Sequence, residues 1–301
     1  MKKPQDQSSE QNDALQPDRM HGEGPSLSFF RRMMSRFSVA WLFLTRVPLP
    51  GWWNAPLPDE DVEADEADKG VGMTPLAETV RAWPVVGLLV GAIAALALWA
   101  GAQLGLHPLA AAFLALIVGA VVTGALHEDG LADVADGFGG GASKAQKLAI
   151  MKDSHIGTYG VLALILGVGF KATSLGGFNT PVLAAGALVG AHVLSRSVMP
   201  LMMVMLKPVR KGGLGRGAGA PDRDDAVIAA ILGVLMAFLI LGLGPGLLAA
   251  GLAAGGAAAV GWLAQRQIGG FTGDVLGAAQ QVVEALVLAG RAVAFRTVVY
   301  V

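Results

Sequence analysis

Cysteine is absent from this chain of 301 residues, which excludes disulfides and thiolate chemistry and leaves the redox compartment open. Charge is scarce as well. Only 15% of the residues are Asp, Glu, Lys or Arg, where soluble domains average about 25%, so the chain is short of side chains to clothe a solvated surface. Neither sign dominates: the formal net charge is -1, so no whole-chain basic field exists and nucleic acid is excluded as a partner. No apolar stretch with a small-residue cleavage site follows the early lysines, so the N-terminus does not read as a secretory signal.

What the chain does hold is apolar and small. It is 53% hydrophobic with 42 glycines and a mean hydropathy of +0.56. That glycine content suits close helix packing in lipid better than a solvated fold. Composition therefore predicts an all-α, polytopic transmembrane helical bundle in contact with membrane lipid. Residues 1–28 are polar and without apolar periodicity, which predicts a disordered tail. Residues 29–301 are expected to form a single integral-membrane catalytic domain.

About six to seven spans are expected, at roughly 85–104, 108–126, 159–177, 182–206, 226–243, 247–264 and 281–299, each near the ~20 residues a bilayer needs. Phe37 to Val47 is apolar but too short to span, and is expected to be interfacial or re-entrant. The acidic run Asp59 to Asp68 reads as a solvated loop. Turns at 106–107, 178–180 and 244–245 carry no Lys or Arg, whereas 127–158, 207–225 and 265–280 carry many. Alternation puts the three long connections and the N-terminal arm on one side. Their Lys144, Lys147, Lys152, Lys207, Arg210, Lys211, Arg216, Arg223 and Arg266 make that side cytoplasmic.

The most informative stretch is His127-Glu128-Asp129-Gly130-Leu131-Ala132-Asp133-Val134-Ala135-Asp136-Gly137. In a helix, Asp129, Asp133 and Asp136 at i, i+4 and i+7 share one face. Crowded carboxylates repel unless a positive charge lies among them. A hard divalent cation, most simply Mg2+, supplies it, taking one or two carboxylates together with substrate phosphates. Acids at a membrane edge point to function, which outweighs the plain reading as a solvated acidic loop. Carboxylates, a cation and basic loops on one face point to phosphoryl or nucleotidyl transfer.

Three segments then resemble one family. Glu128-Asp129-Gly130-Leu131-Ala132-Asp133-x-x-Asp136-Gly137 looks like the signature of the cobalamin synthases, the adenosylcobinamide-GDP ribazoletransferases. Ile150-Met151-Lys152-Asp153-Ser154-His155-Ile156-Gly157-Thr158-Tyr159-Gly160 and Gly269-Gly270-x-Thr272-Gly273-Asp274-x-Leu276-Gly277-Ala278 are similar to two further family segments. Leu44-Thr45-Arg46-x-Pro48-x-Pro50 starts the similar region, which runs from about Phe37 to the C-terminus. The resemblance implies adenosylcobinamide-GDP and α-ribazole, or α-ribazole 5'-phosphate, as substrates, with release of GMP. It also implies a bacterial inner membrane enzyme with its active-site loops in the cytoplasm. A homo-oligomer is compatible with the sequence.

Each remaining polar residue has two readings. Asp129, Asp133 and Asp136 are the expected Mg2+ and diphosphate ligands, with Glu128 or Asp274 as the carboxylate that orients or deprotonates the attacking hydroxyl. Asp274 otherwise caps the last helix, and the resemblance favours the site. Asp153 either completes the metal shell or caps the helix that follows it. Arg46 either contacts a phosphate or snorkels at the interface. Arg196 either meets a phosphate or carboxylate, or forms an ion pair that fixes helix packing. Lys171 interrupts an apolar run, and Glu284 lies about two turns beyond Asp274. Lys152, His155 and Thr272 complete the candidate substrate-binding set. The basic, glycine-rich loop 207–217 suits a lid over an anionic substrate or a contact with anionic lipid. Two alternatives share parts of this pattern. A CDP-alcohol phosphotransferase has spaced aspartates, but this chain has Ala132-Asp133 where that motif has Ala-Arg. A cation-coupled transporter would place its acids mid-membrane on broken helices.

Overall fold

A computed structural model describes residues 25–50, 53, 76–209 and 221–299. Ten α-helices and one 3-10 helix account for nearly all of them. They are α1 (Pro25–Leu44), the 3-10 helix Leu76–Ala82, α2 (Trp83–Gln103), α3 (Pro108–Thr123) and α4 (Leu126–Gly140). After them come α5 (Lys144–Ile150), α6 (Thr158–Gly176), α7 (Pro181–Met205), α8 (Arg223–Leu241), α9 (Leu243–Ile268) and α10 (Gly273–Val299). The expected acidic run at 59–68, most of the tail and the glycine-rich loop beyond Val209 lie outside the described residues.

Among the described residues, five helices are long and apolar enough to cross a membrane, or six if one sharply bent pair counts as a single span. The all-α membrane architecture is as the composition predicts, and two expected spans differ in detail. The run at 108–126 does not continue as one straight helix. Gly124 and Ala125 both adopt left-handed backbone, with φ 64° and 55°, and the chain turns by 92° between α3 and α4. Ala125 is a non-glycine residue in that region, where its Cβ is strained. The final run belongs to the longer α10, which is not among the five because Asp274, Gln280, Gln281, Glu284 and Arg291 interrupt its apolar residues. Phe37 to Val47 forms the second half of α1 and the turn beyond it, and α1 is likewise not among the spans.

Small residues let the helices close up. A Cβ on Gly87 of α2 would meet the backbone oxygen of His192 on α7 at 2.5 Å, and one on Gly91 would meet the His192 Cβ at 3.0 Å. Buried Ala94, Ala187, Ala191, Val90 and Leu194 fill the same region. Leu96, Ile117, Val121, Leu166, Leu235 and Leu239 instead point outward, as side chains facing lipid do.

The long connections gather at one end of the bundle. Arg46 donates its backbone N–H to Val122 at 2.8 Å. Pro208 and Phe271 form an isolated parallel bridge, and Lys147 donates to Gln267. The turn between α6 and α7 packs at the opposite end, where a Cβ on Gly176 would lie 3.3 Å from Leu109. The described parts of the three long connections thus meet at one end, which brings the motif-bearing segments to a common face.

Candidate active site

Alpha4 is the element that sorts the acidic motif. Successive side chains on a helix project about 100° apart, so Glu128 diverges from the face that Asp129, Asp133 and Asp136 share, and the neighbours of that face separate the three. Asp129 is exposed, Asp133 half-buried and Asp136 buried. Glu128 turns inward, where its Oε1 accepts from Gln281 Nε2 on α10 at 2.9 Å.

Asp129 and Asp274 border one cavity of about 610 Å3, counted out to its open mouth. Close helix packing brings them there. A Cβ on Gly130 would stand 2.8 Å from the Asp274 backbone oxygen and 3.2 Å from Gly277 Cα, so only glycine lets α4 approach the start of α10. Asp133 follows Asp129 by one turn on the same α4 face. Thr272, buried beside them, accepts from Val275 N at 3.3 Å and donates to Asp274 Oδ2 at 3.2 Å. Thr272 is therefore the cap of α10, a role sequence reading had weighed for Asp274. Asp274 itself borders the cavity.

Asp136 goes elsewhere. Its two oxygens accept the backbone N–H groups of Gly157 at 2.7 Å and Gly160 at 2.8 Å. A carboxylate at that position satisfies two donors of the first turn of α6 and meets the positive end of its dipole. The expected third metal ligand is thus placed as a helix cap. It also removes the reason for Asp153 to cap α6. Asp153 is exposed, and its Oδ1 pairs with His155 Nδ1 at 2.7 Å. That hydrogen bond holds the Asp153 carboxyl below its ordinary range and raises the His155 imidazole above 6.5.

Among the described residues, no group of three His, Asp or Glu converges as a metal cage. The arrangement suits a cation that takes one or two carboxylates and completes its shell with phosphate and water, as Mg2+ does. Arg46 lies against the α3–α4 turn: a Cβ on Gly124 would fall 2.7 Å from its Nε. Its exposed guanidinium is thus seated at the head of the acidic helix. Lys152 is exposed on the loop after α5.

A second polar group lies deeper, and the sequence displayed it only in part. Lys171 on α6 donates to Gln281 Oε1 at 2.6 Å and to Glu284 Oε2 at 3.3 Å. Arg196 Nη1 reaches His192 Nδ1 at 2.9 Å and Glu284 Oε1 at 3.3 Å. Gln280 donates to Ser195 Oγ at 3.1 Å and to Glu284. Arg196 is 1% exposed and Glu284 2%. Two acidic side chains, Glu128 and Glu284, face two basic ones, Lys171 and Arg196, so the group can close near neutrality, as buried charge requires. Arg196 is therefore the ion-paired packing residue rather than a residue at the open cavity.

Three polar atoms of this group, His127 Nε2, Glu128 Oε2 and Arg196 Nε, have no partner among the described residues, and all three residues line one small cavity. Such a polar cavity is where a buried water belongs. His192, Gln280 and Gln281 belong to this group but not to the sequence-derived candidates. The available signals were the i, i+4 spacings of His192 with Arg196 and of Gln280 with Glu284, inside otherwise apolar helices.

An all-α bundle with carboxylates over an open cavity at one end, where basic connections meet, defines an integral-membrane enzyme acting at the membrane face. The family model for cobalamin-5-phosphate synthase matches residues 36–292, and the chain belongs to that family. A relative in Bradyrhizobium diazoefficiens named adenosylcobinamide-GDP ribazoletransferase is 46% identical over 71% of this chain and 82% of its own length. Relatives of the same name in Mesorhizobium japonicum and Azorhizobium caulinodans are 42% and 39% identical, each over 86% of this chain and over 93% and 96% of their own lengths. No solved structure matches. The chain is a transferase of cobalamin biosynthesis. Family membership takes the place of the lipid-synthesis and transporter alternatives.

Proposed function

We propose that this chain transfers the cobinamide-phosphate moiety of adenosylcobinamide-GDP to α-ribazole or α-ribazole 5'-phosphate. GMP leaves, and adenosylcobalamin or its 5'-phosphate is formed. In this reading the acceptor hydroxyl oxygen forms a bond to the phosphorus attached to the cobinamide arm. The bond from that phosphorus to the bridging oxygen breaks, and its electrons leave with GMP. The observation that carries the reading is the meeting of Asp129 and Asp274 on one cavity, from two of the three family segments.

Asp129, Asp133 and Asp274 are the residues that would hold Mg2+. When bound, the ion would neutralise the diphosphate and stabilise charge developing on its oxygens. The protein's own part is positioning. Thr272 orients the Asp274 carboxylate, and the Gly130 contact keeps it close to α4. Arg46 and Lys152, exposed on the same end, supply cationic charge for the donor's phosphates. In this reading the protein sits in a bacterial inner membrane with this end toward the cytoplasm, an orientation that the basic connections support.

The test is turnover in membranes that contain this protein, supplied with adenosylcobinamide-GDP, α-ribazole and Mg2+. GMP and a corrinoid product are expected from wild type and not from Asp133→Asn. Product from both would keep the reaction and remove Asp133 from the essential set. No product from folded wild type would overturn the proposal.

A further inference from the structure

The cavity that Asp129 and Asp274 border is lined for the rest mostly by apolar side chains. Among them are Phe43, Trp83, Met199, Met203 and Phe271, contributed by α1, α2, α7 and the turn before α10, and they form its apolar end. Trp83 is 1% exposed, and its Nε1 already donates to Thr79 Oγ1 at 3.2 Å, so it offers the cavity only ring surface. The Phe43 and Trp83 rings lie 6.0 Å apart and inclined by 30°, so two aromatic rings pack together in its lining. Met199 and Met203 are one helical turn apart on α7, and their unbranched thioethers adapt to flat rings and contact them favourably.

Resting on the function proposed above, we propose that this apolar end is the seat of the acceptor's aromatic base. It holds the bicyclic ring of α-ribazole so that the ribose hydroxyls emerge at Asp129 and Asp274.

Three features favour this occupant. The ring of a benzimidazole riboside is flat and largely apolar, matching walls that offer π faces and sulfur. The sugar end carries hydroxyl donors, which suit the carboxylates of Asp129 and Asp274 and a cation held there. The cavity is small: even its empty space counted out through the open mouth is only about 610 Å3, too little to enclose a corrinoid. The corrinoid would therefore remain outside and present only its phosphate-bearing arm at the rim. The same wall would set the preference among lower bases, because an apolar pocket distinguishes one methyl group by about ten- to two-hundred-fold.

The test narrows the cavity from α7. Met199→Phe and, separately, Met203→Phe are each compared with wild type in full-length protein in membranes, with KM measured for both substrates. The expected result is a KM for α-ribazole raised by about ten-fold or more, with the KM for adenosylcobinamide-GDP unchanged. The unsubstituted benzimidazole riboside, being smaller, should lose less than its dimethylated counterpart. An increase confined to adenosylcobinamide-GDP would assign the pocket to guanosine and overturn the proposal. Unchanged KM values for both substrates would overturn it too.

A folding-independent reading uses the wild-type protein. Alpha-ribazole alone should quench tryptophan emission, and Trp83→Phe should remove most of that change. Quenching that survives Trp83→Phe unaltered would overturn the proposal. If wild type made no product at all, the proposed reaction would fall. Turnover with unaltered KM values would defeat only the base pocket.

Discussion

Lys171 on α6 and Glu284 on α10 face each other at 3.3 Å, both buried within the bundle. Replacing one partner leaves an uncompensated charge away from bulk solvent, at a typical cost of about 3–5 kcal/mol. Lys171→Met should therefore lower the melting temperature in detergent sharply. Lys171→Met combined with Glu284→Gln should recover part of that loss, because Arg196 and Glu128 still balance. A double variant no more stable than expected from adding the two single losses would show that the pair is not coupled.

Asp136 separates a structural role from a metal role. Its carboxylate answers two backbone donors of α6, and leaving such donors unmet costs about 1–3 kcal/mol. Asp136→Ala should lose stability of that order, seen by thermal unfolding, while folded protein keeps its dependence on Mg2+. Complete loss of turnover in a fully folded Asp136→Ala protein would return the residue to the metal set.

Gly130 governs the spacing of Asp129 and Asp274. A methyl group there meets the Asp274 backbone oxygen at 2.8 Å and its Cα at 3.1 Å, so α4 must move away from α10. A displacement near 1 Å can cost about a hundred-fold in rate. Gly130→Ala should reduce kcat by that order, measured beside an unfolding curve to separate rate from folding. Wild-type kcat would mean that the carboxylate spacing is not critical.

The exposed Asp153–His155 pair has a defined pH window. The hydrogen bond lowers the Asp153 pKa and raises that of His155. The His155 part is complete below pH ~6.5 and is lost as pH rises through its raised folded value. The Asp153 part is complete above pH ~3.9 and is lost as pH falls through its lowered value. Both are therefore in place between about pH 4 and 6.5. An NMR titration of His155 should give a pKa above 6.5 that falls in Asp153→Asn. An identical titration in that variant would show no pairing in solution.

Metal dependence divides the carboxylates. Chelation should stop turnover, and added Mg2+ should restore it. Asp129→Asn and Asp274→Asn should each raise the Mg2+ concentration needed for half-maximal rate by about ten-fold, equivalent to about 1.4 kcal/mol. An unchanged requirement in Asp274→Asn would leave Asp129 and Asp133 as the cation's only protein ligands.

Much of this molecule could be read from the chain in order. Low charge, abundant apolar and small residues, and span-length runs determined a helical membrane bundle, because a backbone in lipid must satisfy its hydrogen bonds within each segment. The charged connections determined which loops share a face, since alternation is a consequence of crossing. The residues Glu128 to Gly137, with the two later segments, determined the family, and with it the chemistry to expect.

Tertiary structure decided what each polar residue does. Sequence spacing put Asp129, Asp133 and Asp136 on one face of a helix, but it could not show that the α6 N-terminus lies against Asp136. It could not show that Ala125 would take a left-handed backbone and turn α4 out of line with α3. Nor could it pair Lys171 with a glutamate 113 residues away. These outcomes depend on which helices touch and how closely, a property of the packed bundle that glycines permit and that no local spacing encodes.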